Sequence, residues 1–324
     1  MQVLNTNNGS YIFDDQNHEL ILKQHGKFSS VYIGYQLPEK NKVIVKILNP
    51  ALNDDPSAII RFHKEALKSF EHPDLQKTID AFNDESGYFL IKEYIDGLTL
   101  AQLYKREKIT DLVFYIQCTI KLLKILEVLH DKEIIHCDIR PQNILVLNDK
   151  ATEQIDFDNP QVVLIDLGLA HTPETAGYKS TQPFSLIYSP PEQLLNKTDL
   201  INHSSDTYAV AICLYECITG TLPFLHENPE MIQHLQLNTP LLHHKNVPEP
   251  LFKILQKATA KKVFPKPPSQ YSEEEIKAMI REGQRMRYES ATAFKHALMD
   301  CLDELEKIEI NSKLKPWWKK LFGK

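Results

Sequence analysis

The stretch "HCDIRPQNIL", His136 to Leu145, decides how the rest of the chain is read. It sets Asp138 and Asn143 five positions apart in a segment that runs from charged to apolar. Alone it is an ordinary loop signal, because Asp, Pro and Asn each favour turns. Whether a chemistry needs that spacing depends on what surrounds it.

Outward from the stretch, 324 residues with 42% hydrophobic and 25% charged side chains are enough for two lobes with real cores. A net charge of -6 and a pI near 6.1 argue against a nucleic-acid surface spread over the chain, and no nucleic-acid partner is expected. The first residues, "MQVLNTNNGS", have neither a basic nor an apolar leader region. The longest apolar run, Tyr208 to Tyr215, is too short to span a bilayer, so the expectation is a soluble cytoplasmic protein. Five scattered cysteines make no disulfide framework and no C-x-x-C site.

Upstream, "ELILKQ", "SSVYIGYQ" and "NKVIVKIL" are rich in β-branched and aromatic residues and predict strands; "PSAIIRFHKEALKSF" has helical spacing, and "GYFLIKEYI" returns to strand. Downstream, helices dominate. Leu112, Ile116, Leu123 and Leu126 recur at helical intervals, Thr207 to Ile218 is apolar nearly all round, and Ser272 with Glu275 has capping-box spacing. The last long helix carries Phe294, Leu298, Cys301 and Leu305 on one stripe. This is an α+β chain with a β-rich small lobe over 19–96 after an extension at 1–18. A mostly α large lobe follows over 97–310, with a tail at 311–324.

Six groups then stand in one order: Gly26 near Ser29, Lys46 in "VIVK", Glu65 in "RFHKE", Asp138 with Asn143, Asp166 in "LIDLGLA", and Glu192 in "YSPPEQL". In this order, from about Leu20 to Leu305, they resemble a eukaryotic-type Ser/Thr protein kinase of the bacterial kind. The resemblance implies a bilobal fold and transfer of the γ-phosphoryl of ATP to protein hydroxyls, with Mg2+, or Mn2+ in its place. Lys46 would pair with the α and β phosphates and Glu65 would hold it; the bland alternative is a surface ion pair worth about 0 to 1 kcal/mol. Asn143 and Asp166 would be the metal ligands, Asp138 would face the acceptor hydroxyl, and Arg140 would supply a cation beside it. His136 would be structural, packed against Leu167. Adenine would sit between Val31 and Ile44 on one side and Leu145 on the other, bonded to the backbone of Glu93 and Ile95. Glu192 should meet Arg287 in a buried pair, and Asp206 should cap the catalytic loop.

The sequence departs from the family in places. The phosphate loop keeps only Gly26, with Gln24 and Ser29 in the outer glycine slots, and Lys92 and Ile44 narrow the adenine site. A pseudokinase scaffold and a small-molecule kinase are therefore the rival readings, the second lacking a reason for "YSPPEQL". Cys137 replaces the Arg that grips an activation-segment phosphate in many relatives, so Thr172, Thr175, Tyr178, Ser180 and Thr181 lack that receptor. Residues 261–286 look like an inserted surface element, either a solvated excursion or a docking site. The tail, with both tryptophans and five lysines within Lys313 to Lys324, suits a reversible membrane tether or an aromatic clasp. The protein substrate and the oligomeric state are not legible.

Overall fold

The computed structural model describes residues 1–17, 21–23, 28–67, 72–109, 111–149, 151–172 and 186–314. Two compact units divide the chain.

The first comprises Met1–Gly97 with Val163–Leu169. Its strands are β1 (Gln2–Thr6), β2 (Gly9–Phe13), β3 (Ile21–Lys23), β4 (Ser29–Leu37), β5 (Asn41–Leu48), β6 (Thr78–Asp84) and β7 (Gly87–Glu93), with helix α1 (Pro56–Leu67) between β5 and β6. They form one antiparallel sheet in the order β1-β2-β4-β5-β7-β6, with β3 paired to β4. Residues 1–13, part of the segment read as an extension, thus lie in the sheet itself. Asn7-Asn8 forms the two-residue hairpin turn, with Gly9 opening β2 opposite Thr6, and the alternation on β2 buries Tyr11 and Phe13. The two ends of the strand order meet through side chains. Asp80 on β6 accepts from Thr6 Oγ1 at 2.6 Å and from Asn8 Nδ2 at 2.9 Å, so the sheet is curled on itself. Inside the curl sit Leu4, Tyr11, Phe13, Tyr32, Val43 and Val45. Because side chains alternate along a strand, the opposite face carries a separate set, and α1 packs Ala58 and Phe62 there on Leu48 and Leu90.

The second unit holds Leu98–Val162 and the chain from Ala170 onward. After β8 (Gly97–Thr99) come α2 (Leu100–Lys105), α3 (Leu112–His130) and the short strand β9 (Ile144–Leu147); β10 (Val162–Leu164) falls where the chain passes from one unit to the other, and then follow α4 (Pro191–Leu194), α5 (His203–Thr219), α6 (Pro229–Asn238), α7 (Glu249–Ala258), α8 (Glu273–Met286) and α9 (Ala291–Leu314). Helix α5 is buried on every side from Ser204 to Ile218, with α2, α3, α7 and α9 around it. Asn202 and Ser205 close its start as a reciprocal cap, and Gly220 at φ 70° ends it.

The segment read as a surface insertion is more than an excursion. Phe264, Ile276 and Ile280 join Leu200 and Leu237 in one apolar cluster. A side chain at Gly283 would meet the Lys262 backbone nitrogen at 2.8 Å, so α8 crosses that strand of chain closely.

Candidate active site

In the first unit the register builds the site. Val31 on β4 lies opposite Lys46 on β5, Ile33 opposite Ile44, and Ile44 in turn opposite Lys92 on β7. Residues two apart share a face. Val31, Ile44, Lys46 and Lys92 therefore line the face on which α1 packs, away from the core inside the curl.

Glu65 enters this face from α1, 2% exposed. Its Oε2 accepts from Lys46 Nζ at 2.7 Å, and its Oε1 accepts from Lys92 Nζ. Lys46 Nζ also donates to Asp166 Oδ1 at 3.1 Å. Burial would lower the Lys46 pKa, but Asp166 and Glu65 outweigh it and hold the ammonium above its ordinary value. Burial would likewise raise Asp166; the charges of Lys46 and Lys92, with bonds from Lys46 Nζ and the Gly168 N–H, keep its carboxyl well below the usual carboxylate range. Asp166 has φ 66°, a backbone rarely taken by a side-chain-bearing residue, and the Gly168 N–H bonds its Oδ1 at 3.2 Å. A Cβ at Gly168 would lie 3.0 Å from Glu65 Oε2 and 3.1 Å from Asp166 Oδ1, so a side chain there would push on both carboxylates.

In the second unit Asn143 donates both Nδ2 hydrogens to Asp138, one to the carbonyl and one to Oδ2, each at 2.9 Å. The amide is thereby oriented, and its Oδ1 is left as acceptor. Arg140 Nε stands 3.7 Å from Asp138 Oδ2. The loop is held from beneath by Asp206, wholly buried on α5. Its carboxylate accepts from the His136 and Cys137 N–H groups, both at 2.9 Å, and meets His130 Nε2 at 2.9 Å. Burial pushes Asp206 up, yet these bonds and His130 bring it below its ordinary value. They also fix Cys137 at φ 66°. Gln193 Nε2 adds a bond to the Cys137 carbonyl at 3.0 Å, a brace that no sequence signal announced. Glu192 and Arg287 form the expected buried pair, Nη1 to Oε1 at 2.7 Å and Nη2 to Oε2 at 3.2 Å.

Among the described residues no group of three or more His, Cys, Asp or Glu could hold a metal by itself. Each unit by itself offers an oxygen donor of the kind a hard cation takes: Asp166 Oδ2 in the first, which accepts no hydrogen bond from the described residues, and Asn143 Oδ1 in the second.

The remaining expected residues fall as follows. The Glu93 N–H donates to Lys77 O at 3.0 Å and its carbonyl accepts from Gln76 Nε2 at 3.1 Å, leaving one lone pair for a ligand. Ile95 follows β7, and Leu145 lies on β9 in the second unit, both half-buried. Gly26 and Gln24 lie outside the described residues, as do Thr175, Tyr178, Ser180, Thr181 and 315–324 of the tail. The sequence placed Lys92 as a narrowing residue and missed its ion pair with Glu65.

The family model for the protein kinase domain matches residues 24–299. The chain is 29% identical over 252 residues to the serine/threonine-protein kinase PrkC of Bacillus subtilis, across 74% of this chain and 36% of that protein. It is 30% identical over 225 residues to a probable serine/threonine-protein kinase of Clostridium perfringens, across 68% of this chain and 31% of that one. With the probable kinase PknB of Lactococcus lactis the identity is 29% over 252 residues, 75% of this chain and 39% of the relative. The chain thus spans well under half the length of the curated relatives it matches. A match over most of the chain, on a strand-rich unit and a helical unit that carry these ion pairs, makes it a member of the protein kinase family.

Proposed function

We propose that this chain is an ATP-dependent Ser/Thr protein kinase. Protein kinases use ATP with a divalent metal and act on proteins, and the relatives above are named serine/threonine-protein kinases. The observation that carries the reading is the buried Lys46–Glu65 pair with the half-exposed Asp166 on its open side, since a scaffold has no use for an ion pair taken out of water beside a third, solvent-facing charge.

In this reading Lys46 neutralises the α and β phosphates while Glu65 fixes its position. Asp166 and Asn143 would hold Mg2+, with Mn2+ as the substitute, and the metal when bound offsets charge on the phosphoryl oxygens. Asp138 aims the acceptor hydroxyl, its carboxylate kept in place by Asn143, and Arg140 supplies a cation beside it. Val31, Ile44 and Leu145 enclose adenine, with the Glu93 carbonyl and the Ile95 backbone as its polar contacts; Gly26 lies in the loop over the phosphates. The small kinase lobe takes in the hairpin at 1–13 together with 19–96, and the large lobe runs over 97–310. The chain works in the cytoplasm, and its basic tail at 311–324 touches an anionic membrane surface reversibly. Among the described residues no helix is long and apolar enough to cross a membrane.

Purified protein incubated with γ-labelled ATP and Mg2+ should label itself, and Asp166→Asn should abolish the signal. Equal incorporation in both would remove Asp166 from the mechanism.

A further inference from the structure

Lys92 is 4% exposed, and its ammonium bonds a carboxylate oxygen of Glu65. Lys46, on the neighbouring strand, takes the other oxygen. The register explains why both cations reach one acid. Lys46 is opposite Leu90, and Lys92, two residues on from Leu90, is its diagonal neighbour on the same face. Two ammonium groups on such a diagonal repel unless an anion stands between them. Glu65, brought in by the packing of Ala58 and Phe62, is that anion.

The count of charges has a consequence. With Lys46, Lys92, Glu65 and Asp166 the cluster holds two of each sign and is neutral before any ligand arrives. Without Lys92 one cation would serve two carboxylates, and each movement of Lys46 toward a phosphate would leave Glu65 buried and uncompensated. With Lys92 in place Lys46 can lean toward a phosphate while Glu65 stays neutralised. Swinging α1 outward, by contrast, strands two buried cations.

We propose that Lys92 is a positioning residue that pins Glu65, and through it α1, in the phosphate-ready orientation without help from a modified activation segment. The catalytic part of this inference rests on the kinase reading; the pinning of α1 does not. Cys137 supports it independently, because the loop position beside Asp138 offers no cation to a phosphorylated segment, and the orientation has to be held from within the small unit.

The test is amide hydrogen exchange over 56–67, with 112–130 of α3 as internal reference, in wild type, Lys92→Met, Lys92→Gln and Lys92→Arg. The apolar and neutral variants should lose tenfold or more of the protection in α1, with α3 unchanged, while Lys92→Arg stays within threefold of wild type. In Lys92→Met kcat for a Ser/Thr peptide should fall at least fivefold, with the KM for ATP changing less than kcat. Unchanged α1 protection in both Lys92→Met and Lys92→Gln would overturn the proposal. So would equal loss in Lys92→Arg, an unchanged kcat in Lys92→Met, or collapse of α3 protection in both neutral variants, which would make Lys92 a general support of the fold. A wild type that binds ATP and Mg2+ but transfers no phosphate would overturn the kinase reading instead, and the exchange data would still decide the pinning.

Discussion

Lys261 carries its ammonium 4.0 Å from the centre of the Phe224 ring and beside Arg287, whose guanidinium is already committed to Glu192. Burial, and then the Arg287 charge, push its pKa down to about 7. The unfolded chain keeps an ordinary lysine there, so between pH 7 and about 10.4 it binds more protons than the folded state, and stability gained at this site rises with pH. Below pH 7 both states are charged and the full cost of burial remains. The melting temperature of Lys261→Met minus that of wild type should therefore be larger at pH 6 than at pH 9; an equal difference at both would show that the rings and water compensate the charge. At this scale the order of motifs made Lys46, Asp138, Asn143 and Asp166 legible as candidates, and the bonds found are Lys46 to Asp166 and Asn143 to Asp138. The partnership of Lys92 with Glu65 was not legible, because it depends on a diagonal of the sheet meeting a helix 27 positions away.

The β1–β2 hairpin shows the same contrast between elements. Asn7-Asn8-Gly9 between alternating residues is a hairpin signal, yet strands of five residues ahead of a polar segment read more easily as an extension. What makes them part of the lobe is remote: Tyr11 and Phe13 fill the inside of the curl, and Asp80 ties the hairpin to β6. Phe13→Ala should lower the unfolding free energy by about 3 to 5 kcal/mol, the usual cost of emptying a buried phenylalanine site. A denaturant midpoint within error of wild type would mean the hairpin is an appendage after all. Helix α8 was legible as a helix through its Ser272–Glu275 cap. Its docking was obscure, because Ile276, Ile280 and Gly283, with Met279 packed beside them, are a thin buried stripe in a charged run.

For the whole molecule the central claim is phosphate transfer to a Ser/Thr hydroxyl by a chain that needs no phosphate on its own activation segment. Asp206 and Gln193 already fix the loop around Cys137 from the second unit, and Lys92 and Lys46 hold Glu65 in the first. The most direct measurement is the initial rate of transfer to a Ser/Thr peptide by phosphatase-treated wild type and by Asp138→Asn, with ATP and Mg2+ binding followed by thermal shift. Treated wild type should keep its rate within about threefold. Asp138→Asn should bind nucleotide as wild type does while its rate falls about 100- to 10,000-fold, the range for loss of a positioned base. A substituted chain working within tenfold of wild type, or a wild type silenced by the phosphatase, would contradict the account.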